Sequence, residues 1–239
     1  MGLKESGLRG SLRNVSVGID AIPDSVVDNF EPDPEGPYSE DPPSIDEFYE
    51  GPTSDINITD SDVLEGGFSL HSSSGSSNSN IVTDEFDNIP ERGDRFSYYA
   101  IALSSSDSVP GLAFGVDPEH NGGDSGDYDC YAVQFRHGSN SIDIMKNGTT
   151  NDDIQESESV SLDVGEWYEM EIDWTSTSID LTIYEIDQDT VDAGVIPDRQ
   201  TDLASVSFSD QEYDSGQIAW VRSFSSGDIA WDALHNFDT

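Results

Sequence analysis

The segment Gly165–Trp174 reads GEWYEMEIDW, and Ile179–Ile186 follows as IDLTIYEI. In the first, Met170, Ile172 and Trp174 fall on one side, Glu171 and Asp173 on the other. A period of two marks a strand with one buried face. The same alternation returns in Arg95–Leu103 (RFSYYAIAL), where Phe96, Tyr98, Ala100 and Ala102 oppose Tyr99, Ile101 and Leu103. Ser141–Lys146 (SIDIMK) sets Ile142 and Ile144 against polar partners, then meets Asn147-Gly148, a two-residue hairpin signal. Shorter signals stand at Val63-Leu64, Phe68–Leu70, Ile81-Val82, Leu112–Val116, Tyr131–Arg136, Val160–Val164, Leu203–Phe208, Gln217–Val221 and Asp228–Leu234. Turn residues recur every ~8–12 positions, and no helical period persists. The pattern predicts one all-β domain, two antiparallel sheets packed face to face.

Composition narrows the partners. The chain has 239 residues, with 50 Asp+Glu against 9 Lys+Arg and a formal charge of −41. Such a surface repels phosphate backbones and anionic headgroups, so neither nucleic acid nor a membrane is expected as a partner. Lysine is confined to Lys4 and Lys146, and Asp outnumbers Glu. In molar salt the Debye length is about 3 Å, which removes most of the self-repulsion. We therefore expect a brine-adapted protein. Cys130 is the only cysteine, which excludes an intrachain disulfide.

Charge is unevenly placed. Lys4, Arg9 and Arg13 stand in the first thirteen residues against one acid, Glu5, and the next cation is Arg92. Glycines at 2, 7 and 10 disfavour a helix there. No apolar stretch of the kind a secretory signal needs follows these charges. We read residues 1–25 as an extended, basic N-terminal docking arm and 26–239 as the sandwich. Within the sandwich, 32–55 is a Pro-rich acidic loop, too dense in proline for helix or central strand. His71–Asn80 (HSSSGSSNSN) reads as a hairpin tip.

Several stretches in order resemble a concanavalin A-like (laminin-G-like) jelly roll of haloarchaea and their tailed viruses. They are Asp28-Asn29-Phe30-Glu31, RGDRFSYYAIAL, LAFGV, CYAVQFR, GEWYEMEIDW, DLTIYE, SGQIAWVRSF and IAWDAL. The resemblance implies a two-sheet antiparallel sandwich whose first and last strands are neighbours. It also implies a structural calcium between those strands, at positions matched by Asp28, Glu31 and Asp232. The phrase GLRGSLRNVS is similar to N-termini of haloarchaeal viral structural proteins.

Reactive chemistry is poorly represented. Laminarinase-type relatives of this fold place Glu-x-Asp and a further Glu on one strand, flanking the scissile bond. Here Glu171-Ile172-Asp173 is followed by Thr175 and Ser176 where that acid would stand. His71, His120, His137 and His235 sit in loop-like contexts, and no serine or cysteine lies in a nucleophile elbow. No enzyme is expected. Asp117–Asp124 is oxygen-rich, but Pro118 and Tyr128 break the EF-hand pattern. Sugar-stacking candidates are Trp220, Trp231, Tyr98, Tyr99 and Tyr131, with Trp167 and Trp174 assigned to the core.

Two functions follow as expectations. The first is a surface protein of a haloarchaeal virus particle (turret, decoration or tail fibre) in a high-salt environment. Lys4, Arg9 and Arg13 would anchor it to capsid or tail subunits as a homo-oligomer, trimer or pentamer. Its jelly roll would then decorate the particle or attach to a host-surface glycan. The alternative is a halophilic cellular carbohydrate-binding module or inactive glycosidase-like domain.

Overall fold

The computed structural model describes residues 26–32, 36–50, 56–73, 79–83, 86, 88–104, 108–117, 129–148, 153–222 and 227–237. In chain order the strands are β1 (Val26–Asp28), β2 (Ile56–Thr59), β3 (Ser69–Ser72), β4 (Ser79–Thr83) and β5 (Arg95–Ala102). Next come β6 (Pro110–Val116), β7 (Tyr131–Arg136), β8 (Ser141–Lys146), β9 (Ile154–Ser159) and β10 (Trp167–Trp174). The last are β11 (Ile179–Ile186), β12 (Arg199–Phe208), β13 (Gln217–Arg222) and β14 (Ile229–Asn236). One 3-10 turn, Ile45–Glu47, interrupts them.

The expected two antiparallel sheets are present. One is eight-stranded, ordered β12-β11-β10-β5-β14-β3-β2 with β1 added beside β14; the other is six-stranded, ordered β4-β13-β6-β7-β8-β9. The first and last strands are neighbours through Val26↔His235 and Asp28↔Leu234. The alternation read from the sequence sorts side chains as expected. Tyr168, Met170, Ile172 and Trp174 of β10 meet Tyr131, Val133 and Phe135 of β7 and Ile142 and Ile144 of β8 in the inter-sheet core. Trp220 and Trp231 approach there at 6.1 Å between ring centroids.

Four local expectations differ. His71–Asn80 is not a hairpin tip, because β3 and β4 on either side of it belong to different sheets. Val160–Val164 is not a strand; the strand before it is β9, IQESES, whose nearly all-polar sequence carries no hydrophobic period. Val63-Leu64 lies in a bend, although Leu64 is fully buried. The Pro-rich stretch is more than a surface loop, because Tyr38, Ile45 and Tyr49 enter the core. Its Phe48 packs edge-on against Tyr38 at 4.9 Å.

The expectation of one buried face per strand also needs correcting. On the outer face of the larger sheet, Tyr99, Ile101, Trp167 and Ala230 are buried with Leu64 and Ile186 in a second cluster. Segments 60–68 and 187–198 lie together over that face. They are joined by Val191 N–H to Leu64 O (3.0 Å) and Gly66 N–H to Val191 O (2.9 Å). The N-terminal docking candidates Lys4, Arg9 and Arg13 lie outside the described residues, as do most of Asp117–Asp124.

Candidate functional site

Asp28, Glu31 and Asp232 are buried, but they do not gather around one point. Asp28 accepts from Phe30 N–H (2.9 Å) and from the hydroxyls of Tyr38 (3.3 Å) and Tyr49. Trp220 Nε1–H in turn donates to the Tyr49 oxygen at 2.7 Å, tying the six-stranded sheet to the Pro-rich segment. Burial pushes the Asp28 carboxyl up to about 7, against the opposing pull of its bonds from Tyr49, Phe30 and Tyr38. Glu31 Oε1 accepts Gly67 N–H (2.6 Å) and Phe68 N–H (2.7 Å). That approach requires glycine at 66, where φ is +72° and an added Cβ would lie 2.4 Å from Glu31 Oε1.

Asp232 accepts Leu64 N–H (2.7 Å), Glu65 N–H (3.0 Å) and Ala233 N–H (2.9 Å). Burial, then the charge of Glu65, holds its carboxyl well above the usual range. Each of the three carboxylates therefore uses its oxygens to pin a connecting segment to the sheet. Among the described residues no three His, Cys, Asp or Glu side chains gather as a metal group. The expected calcium set does not fit this arrangement.

The outer face of the larger sheet carries a second set of charges. A bulge at Ala233, with φ 31°, shifts the register between Asp232 and Leu234. His235 lies opposite Ser97 on β14, a strand and not the loop expected for it. Its Nε2 is 2.8 Å from Glu65 Oε2, both side chains fully buried, while Gly194 N–H donates to Glu65 Oε1 at 2.5 Å. Across the sheet, Asp232, Tyr99, Glu169 and Tyr184 stand opposite one another in one row.

Glu169, which the sequence reading passed over, is fully buried and bidentate with Arg199 at 2.5 and 2.6 Å. Arg199 also reaches Glu171 Oε2 at 2.5 Å, and the Tyr184 hydroxyl donates to Glu171 Oε1 at 3.3 Å. All four oxygens of this carboxylate pair are thus engaged. They leave no acid and base flanking an open cleft, which is what glycoside hydrolysis needs. The Arg199 guanidinium is shifted upward, first by its bond to Glu169.

The strand ends on the other side build a more open arrangement. Tyr131 begins β7, Lys146 ends β8, and segment 209–216 joins β12 to β13. The Tyr131 hydroxyl donates to Asp210 and accepts Glu212 N–H at 2.9 Å. Lys146 Nζ lies 2.6 Å from both Asp210 Oδ2 and Glu212 Oε2. Burial alone would raise Asp210, but its bonds from Lys146, Tyr131 and Glu212 N–H win and lower it to about 2. The Tyr213 hydroxyl donates to Asn147 Oδ1 at 2.5 Å, and its ring stands edge-on to Tyr131 at 5.0 Å.

Asn147 holds the left-handed conformation (φ 64°) that the Asn-Gly turn foretold. Gly115, with φ +62°, lets Trp174 and Tyr213 close on β6; an added Cβ would lie 3.1 Å and 3.2 Å from them. Tyr213 and Asn147 were not grouped by sequence reasoning. The polar run around Tyr213, SDQEYDSG, was the available signal, but pairing it with Asn147 depends on strand order.

The expected aromatic platform is absent from the residues proposed for it. Trp220, Trp231, Tyr98, Tyr99 and Tyr131 are all fully buried, as is Trp174, with Trp167 nearly so. Two partly exposed tyrosines remain near polar clusters, Tyr184 and Tyr213. Arg199 covers the Tyr184 ring at 4.2 Å, so Tyr213 is the better placed.

Comparison with known proteins bears on the fold. No protein-family model matches the chain, and no curated protein sequence does. The legume lectin-like domain from Entamoeba histolytica superposes with TM-score 0.50 and 11% identity, over 81% of this chain and 91% of that one. The exoplasmic/lumenal domain of VIP36, solved with Ca2+ and Man3GlcNAc, gives TM-score 0.50 and 8% identity over 80% and 87%. Carbohydrate-binding module CBM66 from Bacillus subtilis gives 0.47 and 9% over 70% and 85%. At these identities the likeness is one of fold: a lectin-like, concanavalin A-like jelly roll.

Proposed function

We propose that this chain is a non-enzymatic carbohydrate-binding module whose sugar rests against Tyr213, bordered by Asn147, Lys146 and Glu212. The observation that carries this reading is the strand-end cluster itself. A partly exposed ring stands beside an amide, an ammonium and a carboxylate, held by strand ends and by Asp210. Sugars present C–H faces that pack on aromatic rings and vicinal hydroxyls that pair with planar polar groups. Asp210 is occupied with Tyr131 and Lys146 and acts as a positioning residue, leaving Asn147, Lys146 and Glu212 to meet hydroxyls. The lectin-like fold supports the reading, since VIP36 was solved with a mannose-containing glycan. Particle decoration draws no comparable support from the described residues, so the carbohydrate reading takes precedence. Calcium is not part of the proposal.

The test is a glycan array followed by calorimetry on the best hit. Tyr213→Ala is expected to weaken binding at least about tenfold, and Asn147→Ala several-fold, with unchanged circular dichroism. An array without any hit, or a Tyr213→Ala chain that binds as well as the parent, overturns it.

A further inference from the structure

The six-stranded sheet ends on β9, which among the described residues pairs only with β8. Gln155–Ser159 are exposed, so an edge of peptide donors and acceptors faces outward. Glu156 stands opposite Ile144 and Glu158 opposite Ile142, which places both carboxylates on the inward-facing side of the edge. The other edges differ. Glu50 bonds Val82 in both directions at 2.9 Å on β4, so that edge is already met. Strand β2 carries no charge, and β12 offers Asp202 beside the cation Arg199. An acidic, unpaired edge repels a second acidic edge and favours a basic extended strand.

The sequence offers a basic segment for that role. Residues 1–19 hold Lys4, Arg9 and Arg13 against Glu5 alone, within a chain of net charge −41. No proline occurs before Pro23, so every peptide N–H there can enter a ladder. Arg9 and Arg13, four apart, fall on one face of an extended chain, as Glu156 and Glu158 do on theirs. We infer that residues 9–19 of a second copy of this chain add to β9 as an edge strand, with Arg9 and Arg13 against Glu156 and Glu158. A second copy is favoured by the route. Val26 enters the larger sheet at β14, with β5, β10, β11 and β12 between it and the edge adjoining β9. The outer face on that path is occupied by segments 60–68 and 187–198. A neighbour's strand need not follow that path, and its exchange links bodies whose net charges otherwise repel.

The full chain tests this by sedimentation velocity in ~1 M KCl, where the Debye length of about 3 Å quiets repulsion between the bodies. The parent should self-associate. Arg9→Glu/Arg13→Glu and Glu156→Lys/Glu158→Lys should each weaken association at least about tenfold, and their combination should restore it to within about threefold. Circular dichroism confirms that each variant folds. A parent that stays monomeric to about 100 µM, reversals that change nothing, or a combination that fails to restore association overturns the inference. Glycan binding at Tyr213 is read separately and decides nothing here.

Discussion

Asp28 shows how one residue changes meaning between sequence and structure. The family resemblance implies a metal ligand between the first and last strands; in place Asp28 is a fully buried acceptor for Tyr38, Tyr49 and Phe30 N–H. Its carboxyl sits at about 7 against an ordinary 3.8, raised by burial. The folded state therefore holds a proton that the unfolded chain releases. That contribution to stability is complete below about 3.8 and is lost as pH rises through about 7. Thermal melts across this window should fall more steeply with pH for the parent than for Asp28→Asn, and parallel curves would refute the assignment. Asp210 behaves oppositely: lowered to about 2, it stabilises above 3.8 and loses that contribution as pH falls through about 2. Gly115→Ala places a side chain at φ +62° against Trp174 and Tyr213. It should cost about 1–3 kcal/mol in urea unfolding and weaken glycan binding as well.

At the scale of elements, the strands with strong alternation were legible, and the polar ones were not. β10 and β11 carry residues whose period of two survives any tertiary context, so both formed where expected. β9 carries almost none, and its place beside β8 rests on register, Ser141 opposite Ser159 and Met145 opposite Ile154. On the outward side of β10 Asp173 is exposed, but Glu169 is buried and paired with Arg199, which arrives from β12. Arg199→Ala should destabilise the fold by about 2–4 kcal/mol, since it leaves a buried carboxylate unpaired while the partly exposed guanidinium limits the loss. Chemical denaturation measures it, and a change under ~0.5 kcal/mol would show the pair to be inert. Arg199→Ala paired with Glu169→Gln should recover part of the loss, because the uncompensated charge is gone.

For the molecule as a whole, charge sets the environment in which the sandwich is stable. With −41 on 239 residues, self-repulsion opposes the compact state at low ionic strength. The melting temperature should climb as KCl rises from about 0.05 to 1 M, as the Debye length contracts below the spacing of surface carboxylates. A flat salt dependence would argue against adaptation to brine.

The sequence by itself determined the fold class, the inward residues of the long strands and the left-handed Asn147 before Gly148, because period and turn chemistry are local. It also determined the acidic surface, which is a sum over composition. Only the tertiary structure decided which acids are buried staples, that His235 meets Glu65 across 170 residues, and that Tyr213 stands beside Asn147. Those pairings depend on strand order, register and one bulge at Ala233, and each is fixed by the packing of distant segments. A nearest-neighbour pattern along the chain carries no information about them.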